Sequence, residues 1–186
     1  LSDIQKNTKK IAIFDYENQL KEYQYFPYLD YPLNQIGGIH LNTIEFMNSV
    51  HPIRTESEAK AFIKRTDLIK EVYEGTLNHL KRQADNGIYP PEFVYGHVIN
   101  QLDEFINISN SKHPLYKQFM SKVKKLELSN DEIDYLENEI TRSINDSVTP
   151  GFKLLRNFMV STQKNANKNH GIWSQPGGDE YYKLKI

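Results

Sequence analysis

One periodicity constrains this chain more than any other feature. Between residues 55 and 85, Ala59, Phe62, Thr66, Ile69, Val72, Tyr73, Leu77, Leu80 and Ala84 recur at steps of three and four. Such steps put side chains on one face of an α-helix, whereas a half-buried strand alternates every second residue. Thr55 and Glu58 have capping-box spacing, in which the hydroxyl accepts from the Glu58 N–H and the carboxylate from the Thr55 N–H. Gly87 stands where a left-handed cap is wanted, and Pro90-Pro91 forbids continuation. The pattern predicts one uninterrupted rod of about 45 Å.

The same reasoning extends along the chain. Pro91 opens a helix whose stripe is Val94, Val98, Leu102 and Phe105, and Pro114 opens a shorter one through Leu115, Phe119, Val123 and Leu126. A second capping box, Ser129 with Glu132, starts the stripe Ile133, Leu136, Ile140, Ile144 and Val148. Leu154, Leu155, Phe158 and Met159 continue helical spacing beyond Pro150-Gly151, which predicts two helices meeting at a sharp bend. Shorter helices are expected over 11–23 and over 39–50, the latter using Leu41, Ile44, Met47 and Val50, and residues 180–184 could start another. Residues 25–38 read as an extended, partly buried loop and 163–171 as a surface loop. The expectation is an all-α, irregular multi-helix bundle with long loops, six to eight helices, in a single unit spanning 1–186.

Composition narrows the function classes. A chain of 186 residues suits one domain, and 23 basic against 24 acidic side chains leave a net charge of −1. That removes the electrostatic reason to expect nucleic acid as a partner. No apolar run reaches the roughly 18 residues of a membrane span, so no transmembrane segment is expected. The absence of cysteine excludes disulfides, thiolate zinc sites and cysteine nucleophiles. The chain begins at Leu1 with no charged-then-apolar leader, which reads as a leader removed or as a piece of something longer.

No residue set stands out as catalytic. The six histidines, His40, His51, His79, His97, His113 and His170, include no i, i+4 pair and no HExxH, so no metal site is expected within this chain. His51 and His113 precede prolines at loop-to-helix junctions, where a solvent-facing side chain is expected. The serines form no G-x-S-x-G elbow. The pairs Asp131/Glu132, Glu137/Glu139 and Asp179/Glu180 sit among polar helix positions, and Gly37-Gly38 and Gly177-Gly178 read as turn glycines. The aromatics Tyr23, Tyr25, Phe26, Tyr28 and Tyr31, with Trp173 and Tyr181-Tyr182, either pin loops to the helices or line a cleft.

An ordered set of segments carries a resemblance: Tyr31-Pro32-Leu33-Asn34-Gln35-Ile36-Gly37-Gly38, His51-Pro52 running to Thr55-Glu56-Ser57-Glu58-Ala59, Gly87-Ile88-Tyr89-Pro90-Pro91, Val148-Thr149-Pro150-Gly151-Phe152, and Gly171-Ile172-Trp173-Ser174-Gln175-Pro176-Gly177-Gly178 before Tyr181-Tyr182. Together, from about Asp15 onward, they resemble a bacterial family known only as domain of unknown function number eight hundred and eighty-five. Gly151 stands where alanine is common in that family, which is expected to sharpen the bend at Pro150. Members are large helical proteins, often envelope lipoproteins or secreted, whose C-terminal parts carry segments resembling the metal-binding helices of zinc peptidases.

The resemblance therefore implies the N-terminal helical part of a zinc-dependent metallohydrolase acting on peptides or amides, one wall of a substrate cleft, and inactive alone. Zinc is implied for the full-length family and no cofactor for this chain. Gly177, Tyr181 and Tyr182 are the residues expected to approach substrate; no catalytic residue is assigned. The expected partners are the remainder of a parent polypeptide, a peptide substrate, and a second copy through an exposed apolar patch. The resemblance favours the bacterial envelope or secretion. The alternative is a stand-alone helical module that binds a peptide or protein through its aromatic loops.

Overall fold

The computed structural model describes every residue except Pro27, and the backbone but not the side chain of Tyr25. Its helices are α1 (Asp3–Tyr25), α2 (Ile39–Ser49), α3 (Glu56–Asp67), α4 (Ile69–Asp85), α5 (Glu92–Asn107), α6 (Pro114–Val123), α7 (Asn130–Ser143), α8 (Thr149–Thr162) and α9 (Gly178–Lys185). No strand occurs among the described residues; one isolated parallel bridge joins Pro91 and Asn167. The all-α expectation holds. No helix among the described residues is long and apolar enough to cross a membrane.

The buried stripes meet in one core. Val98 and Leu102 of α5 and Leu155 and Met159 of α8 are fully buried, as are Phe62 of α3, Phe119 of α6 and Ile140 of α7. Phe105 stacks on Phe152 with ring centroids 4.8 Å apart and planes within 1°. Tyr73 reaches the same phenyl ring from α4, 5.4 Å away. Gly151 sits where α8 crosses α4, since a Cβ there would lie 2.9 Å from Tyr73 and 3.3 Å from the Lys70 backbone. Close helix approach, rather than a sharper bend, is what this glycine serves.

Two expected helices are drawn differently. The rod over 55–85 divides at Leu68, whose N–H bonds back to the Arg65 carbonyl at 3.2 Å in a tightened turn. The division has a tertiary cause. The Ser147 hydroxyl accepts from the Lys70 N–H at 3.0 Å and donates to the Asp67 carbonyl at 2.8 Å, so it takes over both backbone groups at the break. Arg142 grips the Asp67 carboxylate alongside, with two contacts of 3.1 Å.

The expected pair of helices around Pro150 is instead one continuous path. Residues Ile144–Val148 form a π-turn between α7 and α8, with the Thr149 N–H bonded to the Ile144 carbonyl five residues back. A turn widened by one residue admits the proline ring without breaking the helix. With α7 and α8 joined, the rods among the described residues stay within the expected six to eight.

Smaller departures follow the caps. Glu58 accepts from the Arg54 N–H at 2.6 Å rather than from Thr55, while the Thr55 hydroxyl takes the Glu58 N–H as expected. A box of Ser2 with Gln5 starts α1 at Asp3, well before residue 11. Gly87 is left-handed at φ 71°, as its cap position requires. Within 25–38, Leu29 and Leu33 are buried, and Pro27 lies outside the described residues.

Candidate functional site

The strap from Asn167 to Gly177 is sewn onto the turn after α4. The Glu92 N–H donates to the Asn167 carbonyl at 2.9 Å, the Asn167 N–H to the Pro90 carbonyl at 3.1 Å, and the Gln175 side chain to the Tyr89 carbonyl at 2.8 Å. Gly177 then turns the chain into α9 with φ 72°, a left-handed conformation that glycine adopts without penalty. Gly178 is needed for another reason: a Cβ there would fall 1.8 Å from the Ile172 carbonyl oxygen. Neither Gly37 nor Gly38 has positive φ; a Cβ on Gly38 would lie 2.6 Å from the Asn34 oxygen.

This anchoring brings α9 to the end of α1. The Tyr181 hydroxyl donates to Glu22 Oε1 at 2.9 Å, and Lys185 Nζ donates to Glu22 Oε2 at 2.6 Å. The Phe26 ring meets the Tyr181 ring edge-on at 5.6 Å, and Lys185 Nζ sits 5.3 Å from the Tyr181 centroid. The Lys185 hydrogen bond, with help from Tyr181, holds the Glu22 carboxyl below its ordinary range. Burial, then the Glu22 carboxylate, pushes the Tyr181 phenol up. At neutral pH the cluster is a carboxylate held by an ammonium and a phenol.

Two recesses share Phe26 as a wall. One, of about 180 Å³, is lined by Tyr28, Leu29, Asn86, Ile88, Pro176 and Gly177. The other, of about 360 Å³, is lined by Gln19, Glu22, Tyr23, Asp30 and His79. In it His79 Nε2 lies 2.8 Å from Asp30 Oδ1, and the Gln83 amide, from inside α4, donates to the Tyr28 carbonyl at 2.8 Å and holds the Asp30 carbonyl. The groove thus combines aromatic walls with carboxylates and an imidazole, which suits an extended ligand with apolar side chains and polar backbone groups.

Of the three residues expected to approach substrate, Gly177 lines the smaller recess, and Tyr181 lines neither but holds two of their wall residues, Glu22 by its hydroxyl and Phe26 edge-on. Tyr182 does not join them; it is 56% exposed. The wall residues Glu22, Asp30 and His79, and Gln83 behind them, escape sequence reasoning because their contacts span 49 to 159 positions of chain. Trp173 does not pin a loop to the core, being 62% exposed.

The histidines before proline face inward, against expectation: His113 is 1% exposed and His51 3%. The His113 Nδ1 accepts from the Leu115 N–H at 3.2 Å, so the imidazole caps α6 and must fold over the helix start. The His51 Nδ1–H donates to the Pro52 carbonyl at 2.8 Å, with the ring edge-on to Phe62. His40, also buried, meets the Gln101 side chain at 3.0 Å. Burial lowers the pKa of all three, that of His113 to about 4.

A zinc ion finds no matching donor set among the described residues. No group of three or more His, Cys, Asp or Glu converges among the described residues, and His79 with Asp30 supplies only two donors.

Fold and groove together define an all-helical protein whose last helix packs on the end of its first beside an aromatic recess. The model of the bacterial proteins of unknown function called DUF885 matches residues 1–186, and the chain belongs to that family. No curated protein matches it. Among solved structures, the crystal structure described as the "putative lipoprotein from Colwellia psychrerythraea" superposes with a TM-score of 0.80 at 24% identity, covering 82% of this chain and 26% of that one. That likeness shows a shared fold, and this chain spans about a quarter of that protein's length.

Proposed function

We propose that this chain is the N-terminal helical part of a larger metallohydrolase, where it forms one wall of the cleft that receives a peptide or amide substrate. The observation that carries the reading is the groove around Phe26, which Gly177 lines and whose wall residues Phe26 and Glu22 Tyr181 holds. Membership of DUF885 and a relative of similar fold about three times as long support a scaffold role for this part. Metal chemistry, on this reading, belongs to residues outside 1–186. Substrate would run past Gly177 and Tyr181, with Tyr182 on the exposed flank of α9 reaching it from the side. The lipoprotein description of the similar structure favours an envelope or secreted location.

The test is turnover by the longer polypeptide. With Tyr181 and Tyr182 both replaced by Phe, hydrolysis of peptide substrates is expected to fall by about tenfold, the loss of one useful hydrogen bond. Unchanged turnover removes the reading. The isolated chain is expected to hydrolyse nothing with any added divalent metal, and zinc-dependent cleavage by it would overturn the scaffold role. The exposure of Trp173 and Tyr23 favours the second reading, a stand-alone peptide-binding module. An open reading frame closing soon after Ile186 would select it.

A further inference from the structure

Helix α1 is built to be covered, yet little of it is. At 23 residues it is about 35 Å long, and α9 is the helix it packs against, at its last turns. Asp3, Lys6, Lys10, Glu17 and Lys21 follow at steps of three, four and seven and make one polar stripe. Apolar side chains flank that stripe on both sides: Ile4, Ile11 and Phe14 on one, Ile13, Tyr16 and Leu20 on the other, all exposed. Six large apolar side chains left exposed on one helix mark a surface that a partner can cover.

Three observations indicate what covers it. First, α9 runs antiparallel to α1, because Gly177 lies at Phe26, Tyr181 at Phe26 and Glu22, and Lys185 at Glu22. Second, Glu22 shares its azimuth with Asn18, Asp15, Ile11 and Ile4, at steps of four, three, four and seven, so a row that is polar at Asn18 and Asp15 and apolar at Ile11 and Ile4 continues an interface already formed. Third, the similar solved protein is about four times as long as the part this chain matches. A lipid surface fits poorly, because Asp15 lies within the row and would be carried into the acyl region.

We propose that the Ile4–Ile11 stripe of α1 is the docking surface for the helical segment that continues α9, laid antiparallel along α1. The proposal rests on the reading of this chain as part of a larger protein. It also specifies the partner's chemistry. Counting back from Glu22, a polar or basic side chain faces Asp15 about 7 residues beyond Lys185, and apolar ones face Ile11 and Ile4 about 11 and 18 residues beyond it.

The absence of cysteine makes the test clean. Single variants Ile4→Cys, Ile11→Cys and, on the polar stripe, Lys10→Cys are labelled with a thiol reagent in the 186-residue chain and in the longer polypeptide. Labelling at the first two is expected to slow at least about thirtyfold in the longer polypeptide, with Lys10→Cys unchanged. A thiol–amine cross-linker on Ile11→Cys should then capture a peptide lying within about 20 residues after Ile186. Equal labelling of Ile11→Cys in both proteins overturns the proposal, as does a cross-link to a distant segment. Protection in the short chain that rises with concentration assigns the stripe to a second copy, and protection that needs phosphatidylglycerol vesicles assigns it to a membrane; either overturns it. Peptide hydrolysis by the longer polypeptide is measured alongside, so a failed hydrolase reading stays distinct from failed docking.

Discussion

At the scale of single residues, three buried imidazoles make this chain sensitive to acid. His113 titrates at about 4 in the fold because burial disfavours its charged form, against about 6.5 in an unfolded chain. Between those values the unfolded state binds a proton that the folded state refuses, so stability falls as pH drops from 6.5 towards 4 and is flat above. His40 and His51 add in the same direction. The His113 contribution is about 3 kcal/mol across the window. The urea midpoint of the chain is expected to decline over that interval. His113→Asn, which can still cap α6 but does not titrate, should flatten the decline; an unaltered acid limb would show that His113 is not its source. A residue-before-proline pattern reads the junction correctly and the burial wrongly, because inward folding of the ring depends on the space beside Phe62 and Phe105.

At the scale of elements, the break between α3 and α4 belongs to the π-turn that touches it. Local propensity runs through Leu68 without a breaker, and it is the Ser147 hydroxyl, some eighty positions away, that satisfies the backbone groups of Asp67 and Lys70. Ser147→Ala is expected to cost about 1–3 kcal/mol, the penalty for leaving buried polar groups unpaired, read as a lower midpoint in thermal unfolding. A cost below about 0.5 kcal/mol would mean that the helix closes over the gap by itself. The seating of α9 is equally specific. Gly178→Ala drives a Cβ into the Ile172 carbonyl, so α9 should detach and limited proteolysis should remove it while the core stays folded. Resistance equal to that of the parent chain would show that the strap can shift to make room.

For the whole molecule, protection should be distributed as the packing is. Backbone amides of α5 and α8, which flank the Phe105–Phe152 stack, are expected to exchange only on global unfolding, and those over the first half of α1 within seconds to minutes. Slow exchange along α1 in the isolated chain would mean that another copy already covers it. The helical stripes from Thr55 to Met159, apart from Val72, which is exposed, the caps at Thr55, Gly87, Pro91 and Ser129, and the all-α class were determined by the sequence alone, because they depend on contacts within a few residues of one another. Tertiary structure alone decided the break at Leu68, the continuity through Pro150, the inward histidines and the groove of Glu22, Phe26 and His79 beside Tyr181. The path through Pro150 turns on a local widening of the helix, while the others are meetings of side chains far apart in the chain, whose distances only the packed core sets.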